Sequence, residues 1–279
     1  MSDQGTGRHF RRVIVAFDAT AQGRALLELA ADLAESLGTP LSGLFVEDEA
    51  LISYAASPLA FEVSLGSASL RELSSARMRA HFRVQERLAR ELIEKLRGRR
   101  RLQCSFQTGR GRFEGALAAV AERDDLLLIS PRVGPCFDPR RLADARRAAS
   151  RQALQSLLAL FEPARARALP SRGRVQAVVA AEEDLAATLA VAGGLAARRG
   201  AGLAVTLLDP DLATAAERAA RRAAGERVPL LSIRPGEIRS LRQELSRDLP
   251  GLIVAGPGLD EAARAALAGL GCPVLQLSA

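Results

Sequence analysis

Two segments of this chain, 162 positions apart, carry one pattern (Val13 falls on Val175), and that repeat constrains the fold more than any other feature. The stretch from Arg12, RVIVAFDATAQGRALLELAADLAESLGTPLSGLFVED, lies without a gap on the stretch from Arg174, RVQAVVAAEEDLAATLAVAGGLAARRGAGLAVTLLDP. Leu33 falls on Leu195, Gly38 on Gly200 and Phe45 on Leu207. In each copy an apolar strand precedes a helix with Leu or Ala at three- and four-residue spacing. A closing Gly and a second apolar strand follow.

The rest of each half continues the alternation. In the first half, Ser69 and Glu72 form a capping box that predicts a long helix from Leu70 to Arg97. A strand is expected at Leu102–Gln107, a helix at Glu114–Glu122 and a buried strand at Leu126–Ser130. Arg140–Phe161 reads as a helix with Leu154, Leu157, Leu158 and Phe161 on one face. In the second half, helices are expected at Leu212–Ala224, Glu237–Leu245 and Leu259–Ala268, and strands at Pro229–Ile233, Leu252–Ala255 and Val274–Leu277. The fifth strand of the first half should fall in Phe161–Gly173, where ARALP is a poor candidate, so that strand is expected to be degenerate or missing. Apolar strands separated by helices argue for parallel sheets covered on both faces. The expected fold is α/β, two tandem doubly wound parallel-sheet domains of flavodoxin- or Rossmann-like architecture, over residues 1–165 and 172–279.

Composition narrows the function classes. The 279 residues are 48% hydrophobic with nine Phe, one Tyr and no Trp, so the core must be aliphatic. The net charge of +7 rests almost wholly on arginine, since Lys95 is the only lysine. Basic runs such as Arg97–Arg101 lack interleaved aromatics to stack bases, which disfavours a nucleic-acid partner. Cys104, Cys136 and Cys272 have no Cys-x-x-Cys spacing and no histidine nearby, so neither a metal site nor a disulfide framework is expected. The polar N-terminus precedes only a five-residue apolar run, and about 18 apolar residues never run together. No membrane segment is expected, and the cytoplasm is the default location.

Three places resemble the universal stress protein family in its tandem form: RVIVAFDAT, LSGLFVEDEALISYAASPLAFEV and LAGLGCPVLQLSA. The first looks like the family's opening strand with its acidic residue, the second like its second strand and loop, the third like its last helix and strand. The resemblance implies a site for ATP. An acidic residue after the first strand holds the ribose or adenine side, and a Val on the second strand flanks the base. A loop after the fourth strand, Gly-x-x-Gly and then Gly-Ser or Gly-Thr, wraps the phosphates, because glycine lets backbone N–H groups converge on an anion at a helix N-terminus.

Carried over position by position, Asp18 and Val46 match in the first half, but Ser130 and Val133 stand at the glycine positions. Prolines 131, 135 and 139 remove three N–H donors. In the second half Gly256 and Gly258 are present around Pro257. Asp260 and Glu261 follow at once, no Gly-Ser or Gly-Thr comes after, and Ala180 stands at the position of Asp18. Gly256 and Gly258 therefore read first as a strand-to-helix turn whose helix is satisfied by Asp260 and Glu261. The segment TGRGRFEG offers Gly109, Gly111, Arg110 and Arg112 as a second anion site that Arg132 could reach from the next strand. Its other reading is a turn with solvated arginines. Asp18 either faces a ligand or caps the helix beginning near Gln22, a role Thr20 could also fill. Glu47, Asp48 and Glu49 are either a solvated run or a place for Mg²⁺ with a nucleotide.

No nucleophile elbow, Walker motif or histidine acid–base pair is present, so no catalytic residue is named. The resemblance implies a stress-response protein that is non-catalytic and binds partners, with a degenerate nucleotide site and no cofactor. One alternative is an ATP or anion sensor using the first domain at Asp18, Val46, Gly109, Gly111 and Arg132. The last is a nucleotide-dependent transferase. Expected partners are another protein or a second copy, as a homodimer or as an internal pseudo-dimer that uses the last strand.

Overall fold

The computed structural model describes residues 10–58, 60–63, 70–122, 124–129, 157–162, 173–224, 228–233, 238–270 and 272–278. Chain order in the first half begins with β1 (Arg12–Ala16), α1 (Ala21–Leu37), β2 (Leu41–Asp48) and α2 (Glu49–Ala55). A short hairpin follows, β3 (Phe61–Val63) and β4 (Leu70–Glu72), then α3 (Ser75–Arg99) and β5 (Cys104–Gly111). The half continues with α4 (Phe113–Val120), β6 (Asp125–Ile129) and β7 (Leu157–Glu162). The second half runs β8 (Val175–Val179), α5 (Glu182–Arg199), β9 (Leu203–Leu207), α6 (Ala213–Ala224) and β10 (Leu230–Ser232). It ends with α7 (Ile238–Arg247), β11 (Leu252–Ala255), α8 (Glu261–Ala268) and β12 (Val274–Ser278).

Ten of these strands form one sheet in the order β10-β9-β8-β11-β12-β7-β6-β1-β2-β5. Within each half the order is the same, third, second, first, fourth, fifth, and every pair is parallel. The halves meet where β12 and β7 pair antiparallel, from Val274 opposite Glu162 to Ser278 opposite Leu158. The chain is thus two parallel-sheet α/β domains joined edge to edge.

Successive strand residues point to opposite faces, and the core divides accordingly. On one face Val13, Val15, Val175, Ala177 and Val254 join residues of α1, α3, α5 and α6 in a single cluster spanning both halves. On the other, Ile14, Leu44 and Leu127 pack on Leu117 of α4, while Val178, Ile253 and Val274 pack on α7 and α8. The shared face brings α1 against α5 so closely that a Cβ at Gly194 would lie 2.9 Å from the Ser36 hydroxyl oxygen.

The repeat seen in the sequence is also a repeat of local chemistry. Gly38 and Gly200 end α1 and α5 in the left-handed region, at φ of 64° and 59°, where a Cβ would be penalised. In each, the next amide reaches back to the last turn, Thr39 N–H to Ala34 O and Ala201 N–H to Ala196 O, both at 2.9 Å. Arg12 and Arg174, opening β1 and β8, each clamp the turn before the fourth strand. Arg12 bonds Asp125 and Val120 O, and Arg174 bonds Asp248.

Four expectations are corrected. Leu70–Glu72 is not the start of the long helix but strand β4, pairing with β3. Ser74, not the Ser69–Glu72 box, caps α3 by accepting from Arg77 N–H at 3.3 Å. Ser69 lies outside the described residues. The helix expected over Arg140–Phe161 gives way to β7 at Leu157–Glu162, with Leu154 and residues 130–156 outside the description. The run LLALF is continuously apolar, as in strands of parallel sheets, and β7 is paired on both sides, with β6 and β12. The first domain therefore keeps a fifth strand, a few residues ahead of Phe161–Gly173. Finally, β5 runs on to Gly111, so TGRG is strand and not turn.

Candidate functional site

In an open parallel sheet the crevice lies beyond the C-terminal ends of the first and fourth strands, where the connections diverge to opposite faces. In the second half these are β8 and β11, with Val178 opposite Ala255. Beyond β11 the ladder gains one more bond, Gly256 N–H to Val178 O at 2.8 Å, before the chain turns through Pro257 and Gly258 into α8.

The amide groups that would hold an anion at this turn are already engaged. The Asp184 carboxylate, from the first turn of α5, accepts the Gly258 N–H at 2.6 Å. Asp260 caps α8 and accepts the Ala263 N–H at 2.7 Å. Arg264 closes the turn by donating to Pro257 O at 3.1 Å. Asp184 is only 6% exposed. Burial pushes its carboxyl above the ordinary aspartate range, the Gly258 bond opposing and the Glu183 charge adding to the rise. The two glycines are explained by this packing. A Cβ at Gly258 would sit 2.6 Å from the Asp184 Oδ2, and one at Gly256 would sit 3.0 Å from the buried Thr188 Oγ1.

Asp184 and Thr188 were not singled out from sequence. The run EED reads there as an ordinary acidic first turn, and only the fold brings α5 against a loop 74 positions away.

In the first half Asp18 follows the end of β1 and is 7% exposed. Its Oδ1 accepts the Thr20 N–H at 3.0 Å and the Thr20 hydroxyl, and that hydroxyl accepts from Gly23 N–H at 3.1 Å. Thr20 is therefore the cap of α1, and Asp18 supports it from behind. Gly23 has to be glycine, since a Cβ there would fall 2.2 Å from the Asp18 carbonyl oxygen.

Val46 and Gly109 are brought together as ladder partners of β2 and β5. Gly109 lies under α4, where its missing Cβ would approach the Ala116 Cβ to 2.8 Å. Gly111, opposite Asp48, holds a φ of 115°. Both glycines serve a strand and its exit into α4, a correction to the loop reading of TGRGRFEG. Arg110 pairs with Glu47 at 3.1 Å, and Asp48 caps α2 through Ala50 N–H at 2.8 Å. The acidic run thus has structural roles for two of its members. Arg132, with Ser130, Val133 and the three prolines, lies outside the described residues.

Burial raises the Cys104 thiol and pushes that of Cys272 up to about 11, which leaves both largely as unreactive thiols near neutral pH. Among the described residues no helix is long and apolar enough to cross a membrane.

No protein-family model and no curated protein matches the sequence. Solved structures do match in shape. A universal stress protein from Archaeoglobus fulgidus superposes with a TM-score of 0.55 at 12% identity, over 97% of each chain. A Pseudomonas aeruginosa structure assigned to the same protein type gives 0.54 at 16% identity, over 97% of this chain and 94% of that one. The cytoplasmic domain of a prokaryotic cation chloride cotransporter gives 0.56 at 15% identity, over 96% and 95%. At these identities the likeness is one of architecture: over nearly its whole length the chain has an α/β fold like that of universal stress proteins.

Proposed function

We propose that this chain is a stress-response protein of the universal stress protein type that performs no chemistry and acts by binding protein partners. The observation that carries the reading is the self-occupied turn of the second half, where Asp184 and Asp260 take the Gly258 and Ala263 amides. A carboxylate held there repels a phosphate, and its burial makes displacement costly. In the first half the acid expected to face a ribose, Asp18, is bonded to Thr20. The nucleotide site is degenerate on this reading.

Partner binding finds support in the placement of aromatics. The one tyrosine, Tyr54 on α2, and Phe61 on β3 are 58% and 48% exposed, outside the main sheet, and aromatics are enriched at protein interfaces. The same fold serves as the cytoplasmic domain of a cotransporter in one matching structure, so the architecture alone does not dictate a nucleotide function.

The test is turnover. The full chain incubated with ATP and Mg²⁺ should release no ADP above the buffer control. Turnover that disappears in Asp18→Ala would overturn the reading.

A further inference from the structure

A cleft of about 220 Å³ opens between the C-terminal ends of β2 and β5 and the helices α2 and α3. It lies on the opposite face of β2 from Val46, since Phe45 and Val46 pack into different core clusters. Its inner wall is apolar. Phe45 and Phe82 meet edge to face with centroids 6.3 Å apart, and Ile52 lies beside them.

The charged residues around it are not equivalent. Glu47 and Arg110 are paired with each other at 3.1 Å. Glu86 accepts the Thr108 hydroxyl and an Arg90 N–H, each at 2.8 Å, and these bonds hold its carboxyl below the ordinary glutamate range. Arg79 and Arg83 also line the cleft, yet neither is among the described residues that make a hydrogen bond or ion pair. They stand one turn apart on one side of α3, where like charges repel. Glu49 is the single unpaired carboxylate in the lining. The lining holds three guanidinium groups and three carboxylates, but Glu86 is engaged by Arg90 from outside it, which leaves two unpaired guanidinium groups against one carboxylate.

We propose that this cleft binds a small organic anion, a carboxylate or phosphate monoester held by Arg79 and Arg83 with its apolar body on Phe45, Phe82 and Ile52. Guanidinium forks match both head groups in a two-pronged geometry. Glu49 remains as an acceptor for a hydroxyl or amine on the same ligand. The volume is below that of sites for drug-sized ligands, which suits a small anion better than a whole nucleotide. The assignment is independent of the nucleotide-free reading of the sheet crevices, so either can fail alone.

The experiment is calorimetric titration of the full chain with phenyl phosphate, benzoate and inorganic phosphate as probes. At least one aromatic anion should bind one to one and more tightly than inorganic phosphate. The stronger of phenyl phosphate and benzoate then identifies the head group. Arg79→Gln/Arg83→Gln should weaken binding by about tenfold or more, and each single variant should weaken it in part, while Arg87→Gln, which removes one charge of α3 outside the lining, leaves it unchanged. Because Arg79 and Arg83 are exposed, the double variant should keep the parent's melting temperature. Failure of both aromatic anions to bind at about 10 mM, or binding that survives the double substitution in the folded variant, overturns the assignment.

Discussion

The Asp184 carboxylate accepts the Gly258 amide N–H at 2.6 Å across the crevice of the second half-sheet. The bond ties the start of α5 to the turn that opens α8, and it puts a protein carboxylate where an anion would otherwise have to bind. Removing the carboxylate deletes a charge-assisted bond and leaves the Gly258 amide without its protein acceptor. Asp184→Ala should therefore cost about 1–3 kcal/mol, read as a shift of the urea unfolding midpoint with an unchanged slope.

The same residue makes a prediction about pH. Burial raises the Asp184 carboxyl, so the folded chain holds that proton more tightly than the unfolded one. Where the folded value is the higher, stability falls as pH rises from the ordinary aspartate range through the raised value. The stability of the parent relative to Asp184→Asn should be greater at about pH 4 than at about pH 7. Paired urea titrations at the two pH values measure it, and an advantage that grows toward neutral pH would contradict the assigned direction.

Gly109 separates a packing role from a phosphate role. Gly109→Ala pushes a methyl against Ala116, where the approach is 2.8 Å, and should cost about 1–3 kcal/mol. Ala116→Gly made in the same chain should recover part of that loss, because the clash involves this pair alone among close contacts below 3 Å. Thermal melts of the two single variants and the double variant test the coupling. An additive result would contradict it.

Arg100 holds three acidic side chains of α1 at once, with Glu28 and Asp32 at 2.7 Å and Glu35 at 3.0 Å. Two of those acids also meet the other half, Glu35 through Arg198 at 2.5 Å and Asp32 through Arg199 at 3.6 Å. Arg100→Ala leaves the carboxylates to repel one another and should cost about 1–3 kcal/mol at low salt. The loss should shrink near 1 M NaCl as screening shortens to about 3 Å. Arg100→Lys should recover only part, since an ammonium lacks the planar fork. Denaturant unfolding at the two salt concentrations is the check.

The alternation of apolar strands and helices was legible because each element buries a face whose period is written in its residues. The gapless offset of the two halves carried over into equivalent caps at Gly38 and Gly200 and equivalent clamps at Arg12 and Arg174. What misled was competition between local signals. Leu157 and Phe161 fit a helical face as well as a strand, and only the vacancy between β6 and β12 decides between them. Ser69 and Glu72 have the capping-box spacing, but β3 claims Leu70–Glu72 as a partner strand and α3 starts only at Ser75. At the site, the turn at Gly256 and Gly258 was readable from its own residues, including the cap by Asp260. Asp184 was not, because its contact joins residues 74 positions apart. Likewise Gly109 and Gly111 look like a loop until β2 is long enough to pair with them.

The central proposal is that the sheet crevices hold no nucleotide, the second because Asp184 and Asp260 take its turn amides and the first because Asp18 is bonded to Thr20. Calorimetric titration of the full chain with Mg²⁺–ATP tests it most directly. The account predicts no heat of binding up to about 1 mM, in the parent and in Asp18→Ala alike. Binding at about micromolar concentration that is abolished by Asp18→Ala would contradict it, and would show that Asp18 can leave Thr20 for a ligand.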